Sequence, residues 1–569
     1  MTPRLAEKYK TLFERLSNPH SVICELEDYK DAIKYRFGSR PADAPHGYVI
    51  GTKREADGEL YIHETSSFSQ ALLCSPSGSG KTQGFISNQL INSKNVSYIV
   101  LDTKGEILSN TYGKLCQTYG KDKIKVINFA NPENTDLYFN PFVCLARHFV
   151  DAEKLGTEER KREEGAIYAE VETLVSFLFP DSMAGSDRSW HLGTIDMIVA
   201  LTIACLEDCR GSITDKTGIR RQLSPEEVTL EKLNNLFKKF TLEGHGEYDW
   251  GDRGFFSSRK ADSYAKKRAF GVMKLEARST KSCYFSLVST YLGSVSSTKS
   301  LALTSHNSID FDNIDDDDPC VLFIRADILD NSMKSLLNLF IQYLLNAYVK
   351  KCTKTATSLK TPLLLLLDEF PILSVDDIYP TLASVGRSMN IFCAFVIQSL
   401  SQLDDQYKEK ANVIKENCVT KIFLSENSDR NARFSSNELG VHQGVSISDL
   451  MNCRLTVKDV DNVPAQKLLF GMEPGECYIR LGNRVVHSSY EFFYKTPEYK
   501  AFPAFDISKI TAPPMFAKEE IEEAEDKTDD DESENLSKVE EARRLLEKRK
   551  AEILKRIQQN YNDDDDDLY

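Results

Sequence analysis

Short apolar runs alternate with amphipathic stretches between about residues 47 and 145. Residues 70–74 read as a strand, followed by a Gly-rich turn and a helix from Thr82. Residues 97–101 and 124–129 read as further buried strands. Strands that alternate with helices predict a mainly parallel sheet. The pattern changes over 150–310, where Glu/Lys/Arg-rich helical stretches surround two apolar helices, 167–179 and 192–206. The strand–helix alternation resumes at 319–324. It continues through a long amphipathic helix (332–349) and strands at 363–367, 391–397 and 419–424. A hairpin, 476–481 and 485–488 turning at Gly482-Asn483, closes it. The predicted architecture is an α/β domain made of 47–149 and 311–500, interrupted by an inserted all-α domain at 150–310. Residues 1–46 read as a helical and linker segment, and 517–569 as a separate tail.

Composition narrows the class. The chain has 569 residues, 41% apolar and 28% charged, which excludes a wholly disordered or fibrous protein. The net charge of −15 is uneven: residues 518–569 carry twenty acids against ten bases. The body is therefore near neutral, which excludes a fold coated in nucleic acid but allows a local basic patch. Within the tail, 519–534 is an acidic run and 536–559 a charged helix with Val539, Ala542, Leu546, Ile553 and Ile557 on one face. It reads either as a solubilising appendage or as a docking segment for a basic or helical partner. Thirteen scattered cysteines lack any C-x-x-C pair and fit thiols in a reducing compartment. No apolar stretch at the N-terminus resembles a signal peptide. The best apolar window, 192–206, contains Asp196 and reads as a buried helix, so a cytoplasmic location is expected.

The strongest chemical signal is Ser75-Pro76-Ser77-Gly78-Ser79-Gly80-Lys81-Thr82. It matches a phosphate-binding loop except for Ser75 at the first glycine, and it has the required strand before it and helix after it. Ser77, Gly78, Ser79 and Gly80 would wrap backbone N–H groups around phosphate oxygens at a helix N-terminus. Lys81 would reach the β- and γ-phosphates of ATP, and Thr82 would bind Mg²⁺. The partner motif is Leu363 to Leu367 followed by Asp368 and Glu369 at a strand's carboxyl end. Asp368 would hold Mg²⁺ through water, and Glu369 would polarise a hydrolytic water. Gln398, after the strand 391–397, would sense the γ-phosphate or orient the water. Arg387, just before that strand, would act as an arginine finger on a neighbouring subunit, or else is a surface charge.

This ordered set resembles the type IV coupling proteins of bacterial conjugation and type IV secretion, the TraG/VirD kind. The resemblance rests on the loop at 75–82, Asp102-Thr103-Lys104-Gly105-Glu106, Phe139-Asn140-Pro141-Phe142, Asp368-Glu369-Phe370, Gly386-Arg387 and Gln398-Ser399. It covers about residues 47–495. It implies a RecA-like P-loop ATPase core that assembles as a hexamer. It also implies a pump delivering a relaxase bound to single-stranded DNA into a type IV secretion channel. The all-α insertion would recognise that cargo. Many family members carry N-terminal transmembrane helices. This chain shows none, which implies recruitment to the membrane's cytoplasmic face by a tether protein. Two other functions stay open: a nucleotide-switched cargo receptor or scaffold, and a DNA translocase of the chromosome-segregation kind.

A candidate DNA contact lies in the insertion. Residues 257–282 hold eight basic side chains (Arg259, Lys260, Lys266, Lys267, Arg268, Lys274, Arg278, Lys281) against two acids, with Tyr264 and Phe270 between them. Phosphate contacts need such charge and bases stack on aromatics, but a solvated helix face reads the same way.

Overall fold

A computed structural model describes residues 23–510, apart from 42–43, 181–187, 211–213, 216–217, 220–221, 241, 243–253, 276, 328–329, 374–376, 425–471, 483, 501 and 503. The tail at 517–569 and the first 22 residues of the predicted N-terminal segment lie outside the described residues. In chain order the strands are β1 (Ile23–Glu25), β2 (Ala32–Arg36), β3 (Val49–Arg54), β4 (Leu60–Thr65), β5 (Ala71–Cys74), β6 (Ser97–Asp102), β7 (Ile124–Asn128), β8 (Thr214–Asp215) and β9 (Gly218–Ile219). They continue as β10 (Val321–Arg325), β11 (Leu363–Leu367), β12 (Ile391–Ile397), β13 (Thr420–Leu424), β14 (Glu476–Leu481) and β15 (Arg484–Ser489).

Ten of these form one sheet in the order β1-β15-β14-β13-β5-β12-β11-β6-β10-β7. Every pair is parallel except the two made by β14, the first strand of the terminal hairpin. This is the mainly parallel α/β class expected from the alternation. One strand, β12, separates β5 from β11, the arrangement of RecA-like cores. The all-Leu strand β11 shows why no polar–apolar alternation was visible: Leu363, Leu365 and Leu367 enter one core, Leu364 and Leu366 the other. A strand buried on both faces has no polar side to display.

Residues 23–36 correct the sequence reading, which made them helix or linker. Here β1 lies parallel to β15, and β2 pairs antiparallel with β4 in a small sheet of order β2-β4-β3. The segments are short, and the partner of β1 lies more than 450 positions along the chain. Local propensity cannot see such a pairing.

Between β7 and β10 the described elements from Pro141 to Leu303 are helices, save the short antiparallel pair β8–β9. The apolar helix Arg188–Asp208 has the length and hydropathy to cross a bilayer, but it is mostly buried. It packs among the helices Thr157–Leu178, Tyr264–Met273 and Arg278–Val295, as the centre of the insertion. Asn140 joins this region to the sheet's surroundings. Its side chain caps the helix Pro141–Asp151 through Phe142 N (3.0 Å) and donates to Val228 O (2.9 Å).

Candidate nucleotide site

The motifs meet at the carboxyl edge of three adjacent strands, β5, β12 and β11, where ligands of open α/β sheets bind. After β5 the chain turns through Ser77 and Gly78, both exposed, and enters a widened, π-type turn over Lys81–Ile86, continued by the helix Ser87–Asn92. Such turns recur at functional sites. Gly80 precedes it in the left-handed region at φ 102°. Ser75, the departure from glycine, is accommodated inside the loop: its hydroxyl bonds the Ser79 hydroxyl, and its N–H donates to Ile397 O (3.1 Å).

Lys81 is 7% exposed, and its ammonium donates to the Ser75 carbonyl at 2.6 Å. Burial pulls its pKa down, opposed by the charges of Glu369 and Asp368. Asp368 is 4% exposed. Burial pushes its pKa up to about 7, the Glu369 charge adds to the rise, and Lys81 opposes it. Lysine and acidic pair thus sense one another across nearly three hundred residues of sequence. Two crowded, poorly solvated acids beside one lysine fit a divalent cation, whose charge would relieve the repulsion.

Alternation along a continuing strand would by itself turn the two acids to opposite sides. The structure gives a different reason. Strand β11 ends at Leu367, and Glu369 adopts a left-handed backbone (φ 55°, ψ 47°). This conformation is costly for a residue with a Cβ and typical of functional positions. Both oxygens of the Glu369 carboxylate accept from Gln398 Nε2, each at 2.9 Å. Gln398 therefore joins the site through Glu369.

Arg387 is not brought to this site. It lies in the turn Gly386–Met389 that leads into β12, at the amino edge of the sheet. Seven residues of strand, roughly 20 Å at ~3.3 Å per residue, separate it from Gln398. It is exposed and makes no ion pair among the described residues. Gln70 fixes its turn: Nε2 donates to Leu382 O and Ile391 O, and a Cβ on Gly386 would lie 2.6 Å from Ile391 O.

Three contributions were not readable from the motifs. Asp102, beside Asp368 in the next strand, is buried and caps the helix Glu106–Tyr119, accepting from Gly105 N (2.7 Å) and Leu108 N (2.9 Å). That accounts for the Asp and Gly of the Asp102–Glu106 motif. Their three-residue spacing before a helix was the available signal. Glu106 accepts from Gln83 of the turn after the phosphate loop, and exposed Lys104 adds its charge near Lys81 and Asp368. Finally, Phe492 packs directly on Gly80.

A loop of this form after one strand, facing an acidic pair two strands away, defines a nucleotide-binding P-loop protein. More particularly, the chain belongs to the family of type IV secretory system conjugative DNA transfer proteins, whose sequence model matches residues 30–449. Its role lies in conjugative DNA transfer. No curated protein matches the chain. Among solved structures, it is similar to the bacterial conjugative coupling protein TrwBdeltaN70 in complex with sulphate (13% identity, 77% of this chain and 88% of that one, TM-score 0.49). It is also similar to the plasmid coupling protein TrwB in complex with ADP and Mg²⁺ (13%, 77% and 88%, 0.47). A third is VirB4 of Thermoanaerobacter pseudethanolicus (13%, 80% and 98%, 0.41).

Proposed function

We propose that this coupling protein hydrolyses ATP and uses the energy to move a relaxase bound to single-stranded DNA toward a type IV secretion channel. The observation that carries the reading is the convergence of Lys81, Asp368, Glu369 and Gln398 at one sheet edge. Lys81 leaves the Ser75 carbonyl for the β- and γ-phosphates. The loop N–H groups of Ser77 to Thr82 cradle the phosphate chain. Thr82 and Asp368 hold Mg²⁺, which supplies neutralising charge when bound. Glu369 orients and deprotonates the attacking water, and Gln398 holds that carboxylate in place. Arg387, too distant to serve its own site, reaches a neighbour's nucleotide, so turnover requires a ring, taken as a hexamer. The α/β core over 47–149 and 311–500 is the motor, and the insertion at 150–310 receives the cargo. A membrane tether holds the ring at the cytoplasmic face.

The test is steady-state Mg-ATPase of the full chain with and without single-stranded DNA. Wild type turns over ATP faster with DNA. Lys81→Ala abolishes hydrolysis while the thermal unfolding profile is retained. Undiminished turnover by Lys81→Ala refutes the site assignment, and absence of DNA stimulation refutes the motor.

A further inference from the structure

The residues above account for the triphosphate and its metal, but none of them offers a surface to a nucleobase. The segment after β15 does. Its Phe492 sits on the phosphate loop so closely that a Cβ on Gly80 would lie 2.3 Å from the ring. Phe492 stacks with Tyr494, centroids 5.9 Å apart and planes 7° from parallel. Tyr494 is 56% exposed, the most exposed large apolar side chain among the described residues. The Lys495 ammonium lies 4.9 Å from the Phe492 centroid and 5.8 Å from that of Tyr494.

The shelf is held firmly. Tyr490 donates from its hydroxyl to Val49 O (3.0 Å) and from its N–H to Gly475 O (2.8 Å). The N–H of Glu491 donates to Thr52 Oγ1 (2.7 Å), and its carbonyl accepts from Asn88 of the helix after the loop (3.2 Å). Residues 490 and 491 are thus anchored, and the chain that follows sets Phe492 on Gly80 of the phosphate loop with Tyr494 stacked against it. An exposed tyrosine with a locked neighbour loses little freedom on stacking, and every base presents a π-face.

We propose that Tyr494, backed by the buried Phe492 ring, is the platform on which the base of the bound nucleoside triphosphate stacks, with Lys495 at its rim. The inference rests on the nucleotide-site reading above and adds the part of the ligand that reading leaves unplaced.

Calorimetric titration of the full chain with Mg-ATP and, separately, with inorganic tripolyphosphate tests it. Tyr494→Ala should weaken Mg-ATP binding about tenfold and leave tripolyphosphate affinity within about twofold. Tyr494→Phe should match wild type. Phe492→Leu, which preserves packing on Gly80, should repeat the selective loss. Equal losses for both ligands would make the segment a mere prop for the loop and overturn the platform, as would unchanged Mg-ATP binding in Tyr494→Ala. A Lys81→Ala control separates the two levels. If it binds both ligands as well as wild type, the nucleotide site itself is misplaced and the platform falls with it.

Discussion

Two of the regions in which this molecule buries charge treat it differently. In the insertion, Arg259 is 4% exposed and is met by Glu207 (3.0 Å) and Asp208 (2.9 Å), with the Phe255 ring 4.6 Å from its guanidinium. At the sheet edge, Lys81 faces two acids of which one, Asp368, is pushed toward neutrality. In the first arrangement both acids pair directly with the guanidinium, Glu207 also accepts from the Ser263 hydroxyl and the Tyr264 N–H, and the group serves the fold. In the second, Lys81 donates to the Ser75 carbonyl and makes no ion pair with either acid among the described residues, so two poorly solvated acids lack a direct counter-charge, which costs stability and stores affinity for a cation.

The same contrast revises the DNA reading. Besides Arg259, Lys266 donates to Ser257 O (2.7 Å) and Arg259 O (3.1 Å), and Arg268 pairs with Asp196 (3.0 Å) and Glu172 (3.3 Å). Tyr264 stacks on Tyr168 at 4.2 Å. These four residues serve the insertion's own packing. Exposed Lys260, Lys267, Lys274 and Arg278 and half-buried Lys281 remain, with Phe270 (53% exposed) beneath the Lys274 ammonium. We propose that smaller set as the nucleic-acid contact.

The largest effect should come from the cluster's chemistry. Glu369→Gln removes the base but keeps a polar side chain beside Gln398. ATP turnover should fall by about 10²–10⁴ while Mg-ATP affinity stays within about threefold. Comparable losses in both would make Glu369 a binding residue. Next, Arg259→Ala removes the shared counter-charge of Glu207 and Asp208 and should destabilise the insertion by about 3–5 kcal/mol, read by denaturant unfolding. A change below about 1 kcal/mol would erase the distinction between the two regions.

A smaller effect follows from Asp368. Its folded pKa of about 7 exceeds the ordinary 3.8, so between those values the folded state holds a proton that the unfolded state has released. Stability of the magnesium-free protein should therefore fall as pH rises from about 4 to 7 and level off above. Asp368→Asn should flatten that slope and raise Tm by roughly 2–4 °C at pH 8. An unchanged slope would show that the carboxyl is not strained. The smallest effect concerns the exposed set: Lys267→Glu with Lys274→Glu should lower the salt slope of single-stranded DNA binding by about 1–2. Lys266→Glu should instead act through stability. Identical salt dependence would remove the patch.

The legible parts of the site were those fixed by short-range spacing within a strand–turn–helix unit. The loop at 75–82, the acids after Leu367 and Gln398 after Ile397 each announce themselves locally, and a parallel sheet brings such strand ends to one edge. What escaped depends on distant pairing. Strand β1 meets β15, Phe492 reaches Gly80 across some four hundred residues, and Arg259 looks like any other basic side chain until Glu207 and Asp208 are folded against it. A count of charges along 257–282 gives no indication of which ones the fold has already used.

The central claim is that Lys81 and Asp368 act on one triphosphate. A double-mutant cycle on Mg-ATP affinity, using Lys81→Ala, Asp368→Ala and the pair, measures it directly. The account predicts a coupling of at least about 1 kcal/mol, because either loss already dismantles the shared site. Losses that simply add, within about 0.5 kcal/mol, would place the two residues at separate sites and contradict it.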